Sequence, residues 1–259
     1  MTEELRVATM NLSAEHGDWP ARREVLRAGL AKLQPDLVAF QASVMTTEHD
    51  QVAELLGEGY HLAHQGRRER DGTGSTIASR WPYDEVHEVE LLVTDRVDEN
   101  EFAGRSSAAR VTTPLGPLLF VNHKPSWRSG LERERELQAA RMARFVDVVR
   151  RGPELPVVVA GDLDAEPDAT SIRFWSDQER IGDLSVRYQD AWELCHPDEP
   201  GPTLADLDRR IDYLFVSCDD GGPQLAVSRC ERLFDEPVDG VWASEHLGVA
   251  ADLRLPVPG

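Results

Sequence analysis

Five short stretches of this chain carry residue types able to do acid–base or metal chemistry. Each lies at or beside an expected β-strand. Asn11 directly follows the strand predicted over Leu5–Met10. His123 ends the one over Leu118–Asn122, and Gly161-Asp162-Leu163-Asp164 ends the apolar run Pro156–Ala160. Asp212 lies inside Arg210-Ile211-Asp212-Tyr213-Leu214-Phe215, and Ser244-Glu245-His246 precedes the last strand, Val249–Leu255. Singly, each has an ordinary reading: Asn11 and Gly161-Asp162 as turn residues, His123 as structural, Glu245-His246 as a surface pair. Asp212 is harder to dismiss, because an acid between Ile211 and Tyr213 is buried and needs a partner. If these strand ends share one edge, hard oxygen ligands and two histidines converge there. That set suits Mg²⁺ or Mn²⁺ rather than zinc.

The elements that must position these residues alternate along the whole chain. Pro20 opens a helix that Leu26, Leu30 and Leu33 continue at helical spacing and Pro35 ends. Leu37–Phe40 is a short buried strand, and Asp50–Leu56 a short helix closed by Gly57. Thr76–Ser79, Val86–Val93 and Ser107–Thr113 read as strands, and Pro114-Leu115-Gly116-Pro117 as the turn before Leu118–Asn122. Leu131–Arg150 is a long amphipathic helix with Ala139, Met142, Val146 and Val149 on its apolar stripe. With no repeat or long linker, the 259 residues form one expected domain, 1–259, of mixed α/β class with more than one sheet.

Composition sets bounds. The formal net charge is −19, from 28 basic and 47 acidic residues, which opposes indiscriminate binding to polyanions. Only Lys32 and Lys124 are lysines; coding bias is the plain explanation. Three cysteines without paired spacing, an acidic start and no long apolar run point to a reducing, cytoplasmic setting without membrane association.

The ordered set resembles the endonuclease/exonuclease/phosphatase superfamily over nearly the whole chain. Arg6–Leu12 resembles its opening strand, Pro35–Gln41 its second motif, and Ser79-Arg80-Trp81-Pro82 its Ser-Arg-x-Pro segment. Asn122-His123 resembles the histidine motif of its phosphatase and sphingomyelinase-like branches. Gly161–Pro167, Arg210–Tyr213 and Ser244–His246 resemble the remaining motifs. The resemblance implies a DNase I-like fold: a four-layer α+β sandwich of two packed, mostly antiparallel sheets flanked by helices. It implies a Mg²⁺- or Mn²⁺-dependent phosphoester hydrolase, with nuclease the leading subtype and a small-molecule or lipid phosphatase as an alternative. His123, Asp162, Asp212 and His246 are then catalytic. Asn11, Asp164 and Glu245 belong to the metal surroundings, and Asn122, Lys124, Arg80 and Trp127 to substrate binding. Trp127 has two readings, stacking on a base or packing the start of the Leu131 helix. The expected partner is a phosphoester, nucleic acid included, bound by a monomer.

Three positions depart from the family pattern. The second motif normally reads Gln-Glu, with the glutamate as main metal ligand; here Ala42 follows Gln41. Alanine cannot ligate. An introduced substitution, a natural loss leaving a non-catalytic phosphoester- or nucleotide-binding protein, and replacement by another acid such as Glu245 all fit. Asp164 stands for asparagine and Glu245 for aspartate.

Overall fold

The computed structural model describes residues 3–98 and 100–256. Chain order begins with β1 (Leu5–Asn11), α1 (Trp19–Leu33), β2 (Leu37–Val44), α2 (Gln51–Leu56), β3 (His61–His64) and β4 (Thr73–Ser79). It continues with β5 (Tyr83–Glu90), β6 (Arg105–Thr113), β7 (Gly116–Lys124), α3 (Glu132–Arg150) and β8 (Val157–Asp162). Then come α4 (Thr170–Trp175), β9 (Tyr188–Asp190), α5 (Ala191–Cys195), β10 (Asp212–Asp219) and β11 (Gly222–Pro223). The chain ends with β12 (Ala226–Leu233) and β13 (Gly248–Arg254).

Two sheets result. The first has the order β12-β13-β1-β2-β4-β3; the second runs β11-β10-β8-β7-β6-β5, with β9 beside β10. All pairings are antiparallel except two: β1 with β2 and β7 with β8. A parallel pair needs a crossover, and α1 and α3 supply the two. The carboxyl ends of β1, β2, β7 and β8 carry Asn11, Gln41-Ala42, Lys124 and Asp162. Ligands in sheets with parallel centres gather at such ends.

Three apolar layers make the sandwich. Leu26, Leu30 and Leu33 of α1 pack on Val38 and Phe40 of β2. Leu5, Val7, Leu37 and Ala39 of the first sheet face Leu118, Phe120, Val158 and Ala160 of the second. Leu119, Val121, Val157 and Val159 pack outward on Met142 and Val146 of α3 and on Phe174 and Trp175 of α4. The expected four-layer α+β sandwich is what forms. The strands of short polar or mixed sequence, β3, β9, β11 and β12, and the helices α4 and α5 were not legible from the sequence. β12, with residues AVSRCERL at a sheet edge, shows a largely half-exposed pattern in place of an apolar run.

α1 begins where Asp18 accepts from Ala21 N and ends in a left-handed Gln34 before Pro35. Its buried Arg22 ties two loops together. The guanidinium donates to the Leu12 and His16 carbonyls on one side and to Ala243 O, 2.9 Å away, on the other. The loop after β1 is thereby held against the loop that carries His246.

Gly161 is required by a close approach. A Cβ there would lie 1.9 Å from the His123 carbonyl oxygen and 2.9 Å from its carbon. Only a bare Cα lets β7 and β8 draw together where Lys124 meets Asp162. Gly161→Ala is expected to force the strands apart, at about 1–3 kcal/mol for overpacking. For a chain of this size that is a fall in Tm of roughly 3–10 °C, readable by thermal unfolding.

Candidate active site

Strand alternation along β7 decides which side chains reach the site. Leu118 and Phe120 face the other sheet, whereas Leu119 and Val121 face α3. Period two then turns Asn122 and Lys124 inward and His123 outward. The His123 ring packs edge-on against Trp175 at 5.8 Å between centroids, and its Nδ1 shares a 2.8 Å hydrogen bond with Ser106 Oγ. Burial, helped by the charge on Lys124, pulls the ring down to about 3, so it is neutral. His123 is therefore a core residue on the α3 side of the sheet, not a member of the site. This corrects the catalytic role expected for it.

Asn122 is also placed otherwise than expected. It is fully buried between the sheets and commits its whole amide there. Gln41 Nε2 donates to its Oδ1 at 2.9 Å, and its Nδ2 donates to Phe40 O at 2.9 Å and Thr76 O at 3.2 Å. It bolts β7 to β2 and β4 and has nothing left for a substrate. Arg80 lies at the opposite end of β2 from Gln41. Its backbone N–H donates to Asp36 O, its Nε reaches Pro35 O, and its guanidinium sits over Tyr60. Trp127 is 54% exposed and stacks with Arg128 instead of packing the start of α3.

Asn11, Lys124, Asp162, Asp164, Asp212 and His246 meet in one cluster, which Glu245 does not join. Asn11 Nδ2 donates across the inter-sheet gap to Asp162 Oδ2 at 2.8 Å. Lys124 Nζ donates to the same Asp162 oxygen at 2.9 Å and also to Asp164 Oδ2. Asp164 adopts a left-handed backbone, and its N–H donates to Asp162 Oδ1 at 3.2 Å. Asp212 faces Asp162 across the β8–β10 register and binds His246 Nδ1 at 3.0 Å. His246 Nε2 is left 3.9 Å from Asp162 Oδ2.

Thr203, which motif reading passed over, and Ser244, the first residue of the last motif, hold this cluster in place. Thr203 Oγ1 accepts from the N–H groups of Ile211 and Asp212, and its carbonyl accepts from Leu247 N. Ser244 Oγ donates to Asn11 O and accepts from His246 N. Thr203 carries no sequence signal beyond a lone hydroxyl in a loop.

The electrostatics follow from burial and pairing. Burial opposes the charge on Lys124, but Asp162 and Asp164 outweigh it and hold the ammonium well above the usual lysine range. Burial alone would raise Asp162; Lys124 and His246 reverse it and keep the carboxyl below its usual range. Asp164 is pushed up to about 6 by burial and by the charge on Asp162. His246 loses from burial but gains more from Asp212 and Asp162, ending at about 9. At neutral pH it is an imidazolium, with Nδ1–H on Asp212 and Nε2–H free to donate.

A sequence profile of the Endonuclease/Exonuclease/phosphatase family matches residues 8–256. This chain belongs to that family. Among solved structures, the human Nocturnin catalytic domain with bound sulfate is 18% identical, with a TM-score of 0.78 over 99% of this chain and 96% of that one. D. rerio TDP2 complexed with single-strand DNA product is 18% identical, with a TM-score of 0.74 over 97% and 99%. The Bacteroides thetaiotaomicron mannosyl-6-phosphatase is 22% identical, with a TM-score of 0.74 over 96% and 99%. A search of curated protein sequences returned no match. The shared fold is the DNase I-like sandwich of the family.

Against the family pattern, the three departures have different surroundings, Asp164 alone lying in the cluster. Ala42 sits in a bulge of β2 with φ at +47°, its carbonyl accepting from Ala14 N. Glu245 does not replace the missing acid. It is exposed and lines a cavity of about 190 Å³ with His16 and Trp242. Among the described residues, Asp162, Asp212 and His246 have ligand atoms within 4.8 Å of one another, a spacing compatible with a metal ion. Their present commitments do not fit one. Asp162 Oδ2 already receives Asn11 and Lys124, and Asp212 is engaged by His246 Nδ1.

The His246–Asp212 pair also carries a pH signature. The folded value near 9 lies above the ordinary 6.5, so the pair's stabilisation is fully present below pH 6.5 and is lost as pH rises through about 9. An NMR titration of the His246 ring should give a midpoint near 9. Asp212→Asn should lower that midpoint by about 1–3 units.

Proposed function

We propose that this chain hydrolyses phosphoesters at the cluster around Asp162 and His246. The observation that carries the reading is the placement of His246 Nε2 3.9 Å from Asp162 Oδ2, with Nδ1 held by Asp212. That distance is too long for a direct hydrogen bond. It sets a proton donor and a proton acceptor around one position at the rim. A phosphoryl oxygen accepts from His246 Nε2–H there. Ionised Asp162, whose Oδ1 accepts one hydrogen bond from Asp164 N and keeps a second lone pair, takes the proton of the attacking water as its oxygen bonds to phosphorus. The bond to the leaving oxygen breaks, and that oxygen leaves with the electron pair and is protonated by solvent. Asn11 keeps Asp162 oriented, and Asp212 keeps the imidazolium oriented. The family's Mg²⁺ or Mn²⁺ enters no step, because Lys124 already answers Asp162 and Asp164.

Small phosphodiesters are the favoured substrate class. A net charge of −19 weighs against long polyanions. Related folds are recorded with a single-strand DNA product and as a mannosyl-6-phosphatase, so diesters and monoesters both belong in the test. A second reading rests on Ala42: a protein that binds phosphoesters without turning them over.

The test uses bis-p-nitrophenyl phosphate, p-nitrophenyl phosphate, mannose 6-phosphate and a single-stranded oligonucleotide. Turnover of at least one is expected, with His246→Ala and Asp162→Asn each lowering kcat by about 10²–10⁴-fold. No cleavage of any of them, with phosphate binding that is lost in His246→Ala, would replace hydrolysis by the binding reading.

A further inference from the structure

Two departures from the family pattern, Ala42 and Asp164, go together with a buried ammonium, Lys124. Ala42 removes a carboxylate, Asp164 adds one, and Lys124 places an ammonium in contact with both Asp162 and Asp164. Each change alone is damaging. Asp164 without Lys124 sets two buried carboxylates together unpaired. Lys124 beside only Asp162 is a buried cation with half its present partners. Position 42 follows Gln41, which pairs with Asn11, the donor to Asp162, so a glutamate there brings a third acid toward the group. Together they make a closed, hydrogen-bonded ion cluster, the only form in which buried charges are tolerated.

We propose that the Lys124 ammonium takes over the charge and the ligands of the family's divalent cation, so that this site is complete without a bound metal ion. The choice of residue supports it. The chain has 28 basic residues and only two lysines, yet one of the two is here. An ammonium is a compact point charge with donors that turn to meet converging oxygens, whereas a guanidinium is a planar fork. Lys124 is the better stand-in for a small ion. Its side chain is 3% exposed, so it acts through Asp162 as a positioning residue. It holds that carboxylate ionised and aimed at the rim. The inference rests on the hydrolytic reading only for its activity arm.

The decisive experiment is Mn²⁺ binding followed by electron paramagnetic resonance, with thermal unfolding in Mn²⁺ and in EDTA. The wild-type chain is expected to hold no Mn²⁺ that Asp162→Asn removes, and to unfold at the same temperature in both media. The double variant Ala42→Glu/Lys124→Ala restores the family's donor and vacates the ammonium's place. It should bind Mn²⁺ at least about tenfold more tightly than wild type, and its Tm should rise with the metal. Ala42→Glu alone, with Lys124 retained, should not gain that affinity. It supplies the comparison if the double variant fails to fold. Any phosphoester turnover by wild type should be unchanged by EDTA. Wild-type Mn²⁺ binding that Asp162→Asn abolishes would overturn the inference, whatever the activity. So would Mn²⁺ binding by Ala42→Glu as tight as by the double variant. Silence on every phosphoester would instead remove the hydrolytic reading and leave the metal result to stand by itself.

Discussion

A polar seam inside an apolar layer sets the relative position of the two sheets. The side chains between them are mostly aliphatic and would tolerate many offsets. Asn122 and Gln41 would not. Their amides are buried, and each unmade hydrogen bond there costs about 1–3 kcal/mol. One offset satisfies both, with Asn122 bonded to Gln41, Phe40 O and Thr76 O. The same offset brings Asn11 of the first sheet onto Asp162 of the second. The site is thus assembled by the requirement that buried amides be paired. The residues of the cluster inherit their geometry from it.

The elements with strong periodicity were legible in the sequence. The Leu26/Leu30/Leu33 spacing marked α1, and the amphipathic stretch before Arg150 marked α3. The apolar run before Gly161 marked β8. Asp50, read as the start of a short helix, proved to be its cap, accepting from Val52 and Ala53 N. The convergence of Asn11, Asp162 and Asp164 from strand ends was legible too, and Asp212, which needed a partner, has His246. Arg80, Asn122, His123 and Glu245 fall outside that cluster. On β7 both His123 and Lys124 were expected at the site, and pleat alternation brings only Lys124 there. The apolar alternation of Leu118 to Val121 says only that successive residues face opposite ways. Which face looks at the other sheet depends on long-range packing. Thr203 and Arg22 were illegible for a related reason: their partners lie in loops that only the tertiary fold brings near.

The β2 bulge separates backbone role from side-chain role. Ala42 has a left-handed conformation, which costs a non-glycine residue roughly 1–2 kcal/mol. No ligating group remains there to explain the strain. The carbonyl explains it, because it anchors Ala14 and so the loop that Arg22 clamps beside His246. A bulge next to a site usually re-aims a side chain. This one has a backbone task although its alanine cannot ligate.

The pairing of β1 with β13 joins residues at the two ends of the chain, Leu5 opposite Leu253. β1 lies between β13 and β2, so its edge beside β13 is covered only when that distant strand docks. The loop bearing His246 immediately precedes β13. The other groups of the cluster, Asn11, Lys124, Asp162 and Asp212, all come earlier in the sequence. Placement of the imidazole is thereby tied to closing one of the longest-range strand pairs of the fold, the slowest kind of contact to form.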